Sequence, residues 1–225
     1  MTRIEVRGRA YERIPVKTHV IGIKEPLEPV LDQYVRPLLQ PGDWITIAES
    51  VVSISQGRVV HQSVIRKPSL LARFIILGVK DHPGDIGYKH AAKMQVAIMQ
   101  AGGFRMFCAM VLGGLSRLIL RRHGDFYRIA GNGVAQIDGF NPPTLPPFNE
   151  YAVLGPDAPD ETSAKLAAHL GCPVAILDAN NIAITVLGSS PDFPVDRDTV
   201  RRALGDNPSG QNHEQTPIVI VRAAG

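Results

Sequence analysis

Hydrophobic and polar positions change period along this chain, and the changes mark its elements. The opening stretch, RIEVRGRAYERIPVKTHVI, alternates. It predicts an edge strand and a second extended piece, with Pro15 where an edge or a turn tolerates it. LEPVLDQYVRPLL (27–39) sets Leu27, Val30, Leu31, Tyr34, Val35 and Leu38 at helical spacing, and Pro41-Gly42 stops that helix. Residues 43–53 predict a strand whose apolar run, Trp44 to Ile47, is broken by Glu49 and Ser50. RVVHQSVIR (58–66) predicts a further extended segment after Gln56-Gly57, as in a hairpin or a nearby crossing. Residues 68–77 and 89–101 predict helices, the second ending at a double glycine. Residues 104–120 are so apolar that period does not separate helix from a strand-helix mixture.

The second half is more regular. HGDFYRIAGNGVAQIDGFN (123–141) predicts two strand-like pieces about the Gly131-Asn132-Gly133 turn, and the proline-rich 141–150 predicts an ordered loop. YAVLGP is a short strand. DAPDETSAKLAAHLG is a helix with an acidic first turn and Gly171 beyond its end. VAILDAN is an apolar strand ending in Asp178, IAITVLG a strand, VDRDTVRRALG a helix and TPIVIVRAAG a closing strand. Strands and helices alternate irregularly, and some neighbouring strands read as antiparallel. The expected class is α+β with a mixed sheet, one domain over residues 1–225, with no internal repeat.

Composition narrows the function more than the fold. The 225 residues are 44% hydrophobic and 20% charged, with a net charge of +3 that favours an anionic ligand only weakly. Lys and Arg are neither run together nor interleaved with aromatics, so nucleic acid is not an expected partner. The most apolar stretch, 104–120, is interrupted by Arg105, Arg117 and two glycines. It falls short of the roughly 20 residues of a membrane span. The N-terminus lacks a signal-peptide core. The expectation is a cytoplasmic protein with a small-molecule substrate and no membrane partner. Cys108 and Cys172 lie far apart and form no redox or metal pair.

Two apolar runs end in carboxylates, Asp138 in QIDGFN and Asp178 in VAILDANN. Strand ends are where sheets present groups to ligands, and two such carboxylates suit one hard divalent cation. Asn141 and Asn180 stand nearby in sequence. The alternative is that these residues merely start turns by bonding their own backbone. Arg121, Arg122 and Arg128 offer phosphate contacts or a solvated face. Walker, dinucleotide, GxSxG and HExxH motifs are absent.

In chain order, GDWITIAESVVSISQGRVV, QIDGFN, VLGPDAPDETSAKL, VAILDAN and TPIVIVRAAG resemble segments of the coenzyme F420-0:γ-glutamyl ligase family. The resemblance implies a large mixed, partly antiparallel sheet with flanking helices in an intertwined homodimer. It implies GTP as co-substrate, activating a carboxylate of a deazaflavin coenzyme precursor or a similar acidic acceptor. L-glutamate is then added in γ linkage, with Mg²⁺ or Mn²⁺ holding the triphosphate. Carried over residue by residue, Asp138 and Asp178 are metal ligands and Asn141 contacts nucleotide. Ile14, Pro15, Val16 and Lys17 match the early nucleotide loop, Glu49 and Ser50 match the polar pair after the strand, and Ser53 adds a donor. This chain departs from the pattern at four places. Ile54 stands for a lysine, Gln56 for a glutamate and Ala179 for a threonine, and the region beyond Gly188 is short. The departures define the alternative: a relative that binds a nucleotide, metal or phosphorylated ligand without ligation.

Overall fold

A computed structural model describes residues 2–78, 91–122, 124–140, 144–179, 184–210 and 214–224. They fall into two compact units. Residues 1–57 and 156–225 make the first, and residues 58–155 the second.

The first unit is built on a six-stranded mixed sheet. Its strands are β1 (Thr2–Val6), β2 (Arg9–Val16), β3 (Trp44–Ala48), β6 (Val174–Ala179), β7 (Ile184–Ser189) and β8 (Ile218–Ala224), in spatial order β1-β2-β8-β3-β6-β7. Only β3 and β6 run parallel. The central strands are apolar along most of their length because both faces are covered. Ile45, Ile47, Val174, Ile176, Ile218 and Ile220 point to one face. There they pack on α1 (Leu27–Tyr34), α2 (Glu49–Ser55) and α8 (Pro159–Leu170). Trp44, Ala175, Leu177, Val219 and Val221 point to the other, against α9 (Arg197–Ala203). Pro15 is accommodated because the pairing of β2 with β1 stops at Arg13, leaving Pro15 bonded from the β8 side alone. At Gly188 the β7 backbone touches the start of α8. A Cβ there would stand 2.6 Å from the Asp160 nitrogen, so only glycine fits.

A buried ion pair ties the sheet to the turn that feeds it. Arg222 donates from Nε and one terminal nitrogen to the two carboxylate oxygens of Asp43, both at 2.8 Å. The Asp43 side chain is 0% exposed and also accepts the Gln40 N–H at 2.8 Å. Cys172 lies beside it, its thiol bonded to the Asp43 carbonyl at 3.3 Å. Burial, then the charges of Asp43 and Asp192, push that thiol up to about 12. Cys172 is therefore a packing residue and not a nucleophile.

The second unit holds the two-stranded ribbon of β4 (Val59–His61) and β5 (Tyr151–Val153). It also holds the helices α3 (Leu70–Gly78), α4 (Ala91–Ala101), α5 (Gly103–Ile119), α6 (Asp125–Ala130) and α7 (Asn132–Ala135). Ala72, Met94, Met106, Ala109, Ile137 and Ala152 contribute to its core. Ser69 caps α3, its hydroxyl accepting the Ala72 N–H at 3.2 Å. Among the described residues no single helix is long and apolar enough to cross a membrane, and α4 and α5 meet at 113°.

The mixed α+β class is as expected, with three local differences. The strand expected over 43–53 ends at Ala48, and Glu49 opens a helix. β-branched Val51, Val52 and Ile54 read as strand, but burying Val52 and Ile54 in the core rewards the helix and overrides propensity. The strand-like pieces expected about Gly131-Asn132-Gly133 are the short helices α6 and α7, with Gly131 at φ 103° between them. Residues 58–66 are extended only over Val59–His61 before a 3₁₀ turn. The ambiguous 104–120 stretch is one helix.

Candidate functional site

The candidate residues of the first unit gather at one end of its sheet. β2 ends at Val16, opposite Ile218 of β8, and Ile218 lies opposite Ile47 of β3. The Ala48 N–H donates to the Pro217 carbonyl at 2.9 Å, and Ala48 lies level with Leu177 of parallel β6. Val16, Ile218, Ile47 and Ile176 form one row, so Lys17 and Pro217 stand level with Ala48 and Leu177, and Glu49 and Asp178 come one residue beyond. The ends of β2, β3 and β6 thus carry an amine and two carboxylates at the same end of the sheet, with β8 between β2 and β3. That edge lies beyond the carboxyl ends of the parallel pair, where open sheets place their ligands.

Each member has a different setting. Lys17 is exposed. Ile14 and Val16 belong to the core of the first face and Pro15 to the strand, so this segment offers a ligand its backbone and Lys17 and not its apolar side chains. Glu49 and Ser50 are half-buried in the first turn of α2. Asp178 is half-buried opposite Thr185 of β7, and burial alone raises its carboxyl above the usual carboxylate range. No cation among the described residues offsets that burial. A half-buried carboxylate in this state is one that a bound cation would relieve. Ser53 is fully buried, one turn further along α2, and its hydroxyl finds no partner among the described residues.

The departures from the family pattern are also placed. Ile54 is buried. Gln56 clasps the entry to α8. Its amide nitrogen donates to the Asp157 carbonyl at 3.0 Å and to the Thr162 hydroxyl at 3.2 Å, and its oxygen accepts the Asp157 N–H at 2.7 Å. Ala179 packs against the core of the second face. Asp160, in the first turn of α8, accepts the Ser189 N–H at 3.0 Å, so the acidic turn braces β7.

Asp138 belongs to the second unit. It is exposed, and its backbone exchanges hydrogen bonds with Val153 at 2.8 and 2.9 Å. Arg128 of the same unit pairs with Asp125 at 3.2 Å. Asn141 and Asn180 lie outside the described residues, as do His82, His90 and His123. Among the described residues no group of three or more His, Cys, Asp and Glu is arranged to hold a metal ion unaided. A Mg²⁺ held by one or two carboxylates plus phosphate oxygens and water needs no such cage.

Sequence reasoning missed two features. One is the Asp43–Arg222 pair, although both residues stand in segments that carry the family resemblance. The other is a groove of about 590 Å³ beside β7 and α9, lined by Arg197, Arg201 and Arg202. Asp198 answers Arg202 at 2.8 Å. In VDRDTVRRALG Arg197 is followed four and five residues later by Arg201 and Arg202, one helical turn on, and that spacing is the signal that could have found them. No family model matches the chain, and no curated protein matches it.

Proposed function

We propose that the chain is an amide-forming ligase of the F420-0:γ-glutamyl ligase type, with the sheet edge of Lys17, Glu49 and Asp178 as part of its nucleotide and metal site. The observation that carries this reading is the arrival of that amine and those two carboxylates at the same end of one sheet. Their sequence separation is large, and the resemblance implicates all three. A divalent cation bound there would neutralise triphosphate charge. Asp178, with Glu49 beside it, would hold that cation, and its burial would then be offset by charge. Lys17 would meet phosphate oxygens.

In the reaction proposed, an acceptor carboxylate oxygen attacks the γ-phosphorus of GTP. The bond from that phosphorus to the β-phosphate oxygen breaks, and GDP leaves. The α-amine of L-glutamate then attacks the acyl carbon, inorganic phosphate departs with the bonding pair, and the nitrogen gives up a proton as the amide forms. The protein's part is positioning and electrostatics. The same resemblance gives a homodimer.

A second reading is favoured by Ile54 and Ala179. A buried isoleucine cannot donate to phosphate as the family's lysine does, and a packed alanine cannot ligate a metal. In this reading the same edge binds a nucleotide, metal or phosphorylated ligand without turnover.

Calorimetric titration of GTP, ATP and GDP with Mg²⁺ or Mn²⁺, repeated on Asp178→Asn and Lys17→Met, tests both. Metal-dependent micromolar binding that both variants weaken, with phosphate release only when glutamate and acceptor are present, supports the ligase. Binding without turnover supports the second reading. Absence of nucleotide binding under every condition overturns the ligase.

A further inference from the structure

Charge divides this chain as the fold does. Residues 58–155 carry twelve Lys and Arg against five Asp and Glu, and the remaining residues carry twelve against sixteen. The second unit is thus strongly cationic within a chain of net charge +3, an asymmetry that suits an anionic surface. The same unit holds most of the large apolar side chains left bare. In α5, Phe104 and Leu118 are each 82% exposed, Ile119 70% and Leu112 52%. At 100° per residue they share one face with Val111 and Leu115, a stripe about 22 Å long. The opposite face is occupied. Met106 and Ala109 are buried, and Gly113 lets α6 approach until a Cβ would stand 2.9 Å from the Phe126 Cα.

Apolar and cationic groups stand together on this unit. The exposed Leu118, Ile119 and Leu120 close α5, and the exposed Arg117, Arg121 and Arg122 bracket them. Helix α3, which packs beside α5, has the same make-up. Its Leu70, Phe74 and Leu77 are exposed at one-turn spacing, with Arg73 exposed among them and Arg66 and Lys67 just before. Taking about 200 Å² for a fully exposed large apolar residue, the α5 stripe alone offers roughly 700 Å². That exceeds the few hundred Å² a monomer ordinarily leaves bare. The six stripe side chains carry no hydrogen-bonding group. A protein partner ordinarily meets its interface with about ten hydrogen bonds, whereas a lipid surface asks for none. Phenylalanine and leucine bounded by arginine suit the plane of a membrane surface, where apolar side chains enter the acyl boundary and guanidinium groups stay level with the phosphates.

We infer that the outward face of α5 binds the surface of an anionic bilayer, with Phe104, Leu112 and Leu118 in the acyl boundary and Arg121 and Arg122 on the lipid phosphates. An in-plane helix needs one apolar face and no span. The contact is therefore compatible with the absence, among the described residues, of a single helix able to cross a membrane, and it departs from the expectation of no membrane partner. It depends on the charge and exposure of the second unit alone and is independent of the ligase reading.

Flotation of the full chain with vesicles tests it. At physiological ionic strength the protein is expected to float with an equal mixture of phosphatidylcholine and phosphatidylglycerol and to stay behind with phosphatidylcholine alone. Leu118→Glu changes a side chain exposed enough that circular dichroism should not alter, and it is expected to abolish flotation. Val20→Glu, the same charge change at an exposed position of the first unit, should leave flotation as it is. Arg121→Gln with Arg122→Gln should weaken partition roughly thirtyfold, at about 1 kcal/mol for each basic residue near the surface. Cys172 is buried, so a polarity-sensitive maleimide dye reports from Cys108 of α5, and its emission should shift to the blue with anionic vesicles. A protein that stays behind with anionic vesicles, floats equally well with phosphatidylcholine alone, or floats undiminished as Leu118→Glu would overturn the proposal. A chain that stays behind, sediments at twice 24.4 kDa and reverts to monomer as Leu118→Glu would overturn it in favour of a second copy on the same face.

Discussion

Replacing Arg222 by methionine should unsettle the first unit. Methionine keeps most of the apolar stem and removes the guanidinium. Asp43 then stays 0% exposed with a full negative charge and loses both bonds from Arg222, retaining the Gln40 N–H. Breaking a buried pair from one side costs about 3–5 kcal/mol, mostly the penalty of the charge left behind. The surviving Gln40 bond and the 19% exposure of Arg222, which admits some water, place the expected loss near the lower end. About 3 kcal/mol in a chain of this size lowers the melting temperature by roughly 6–12 °C. Urea unfolding followed by Trp44 fluorescence measures it, because the only tryptophan sits in β3. The double variant Asp43→Asn with Arg222→Met removes the stranded charge and keeps an acceptor for Gln40. It should recover most of the loss, leaving about 1 kcal/mol. A single variant that loses under about 1 kcal/mol, or a double variant as unstable as the single, would refute the electrostatic reasoning and leave packing as the cause.

Three further outcomes are expected. Gly188→Ala forces β7 away from the start of α8 and should cost about 2–4 kcal/mol, read as a fall in melting temperature; a neutral result would mean that this approach yields easily. Asp178 has a folded-state pKa raised above its unfolded value of about 3.9, so its charge destabilises the ligand-free fold as pH rises through that region. Asp178→Asn should therefore raise the melting temperature at pH 7 but not at pH 3, and wild-type protein should gain stability from Mg²⁺ or Mn²⁺ where the variant does not. Asp196 caps α9, accepting the Thr199 N–H at 2.6 Å and pairing with Arg7, and is held down to about 2. Its contribution is present above pH 4 and lost as pH falls from 4 towards 2, so Asp196→Ala should flatten the acid limb of the stability profile; an unchanged limb would count against the cap.

What the sequence revealed, and what it concealed, follows from range. Alternation along β2, helical spacing in α1 and α8, and the fully apolar β6 and β8 are local patterns, and each element was recognisable within a few residues of its bounds. Asp178 was legible because an apolar run ended in it. The start of α2 was not, since Val51, Val52 and Ile54 favour strand until the core that buries them exists. The short helices α6 and α7 were hidden by glycines that mark a helix junction as readily as a hairpin. The Asp43–Arg222 pair joins residues 179 positions apart, and no periodicity reports such a partner. The grouping of Lys17, Glu49 and Asp178 at one end of the sheet exists only through strand order and direction. Helix α5 defeated the period test for a physical reason: it is apolar towards the core and apolar outward, which leaves little polar face to set a phase.

The ribbon of β4 and β5 also bears on how the chain folds. Parallel neighbours β3 and β6 are joined by residues 49–173, a connection of 125 residues that contains the inserted unit 58–155. As a free coil such a connection makes their meeting slow and entropically costly. The ribbon closes it from within: Val59 pairs with Val153, the Leu154 N–H bonds the Arg58 carbonyl at 2.9 Å, and the Arg58 Nε reaches the Gly155 carbonyl at 2.5 Å. Once the second unit has formed, its two ends emerge side by side, and the sheet meets a short tether instead of a long coil. By the (3/2)RT ln n dependence of loop closure, shortening this link to the 27 residues that lie outside the inserted unit saves roughly 1 kcal/mol. Early formation of the inserted unit would thus act as a clamp on the rate at which the first unit assembles its sheet.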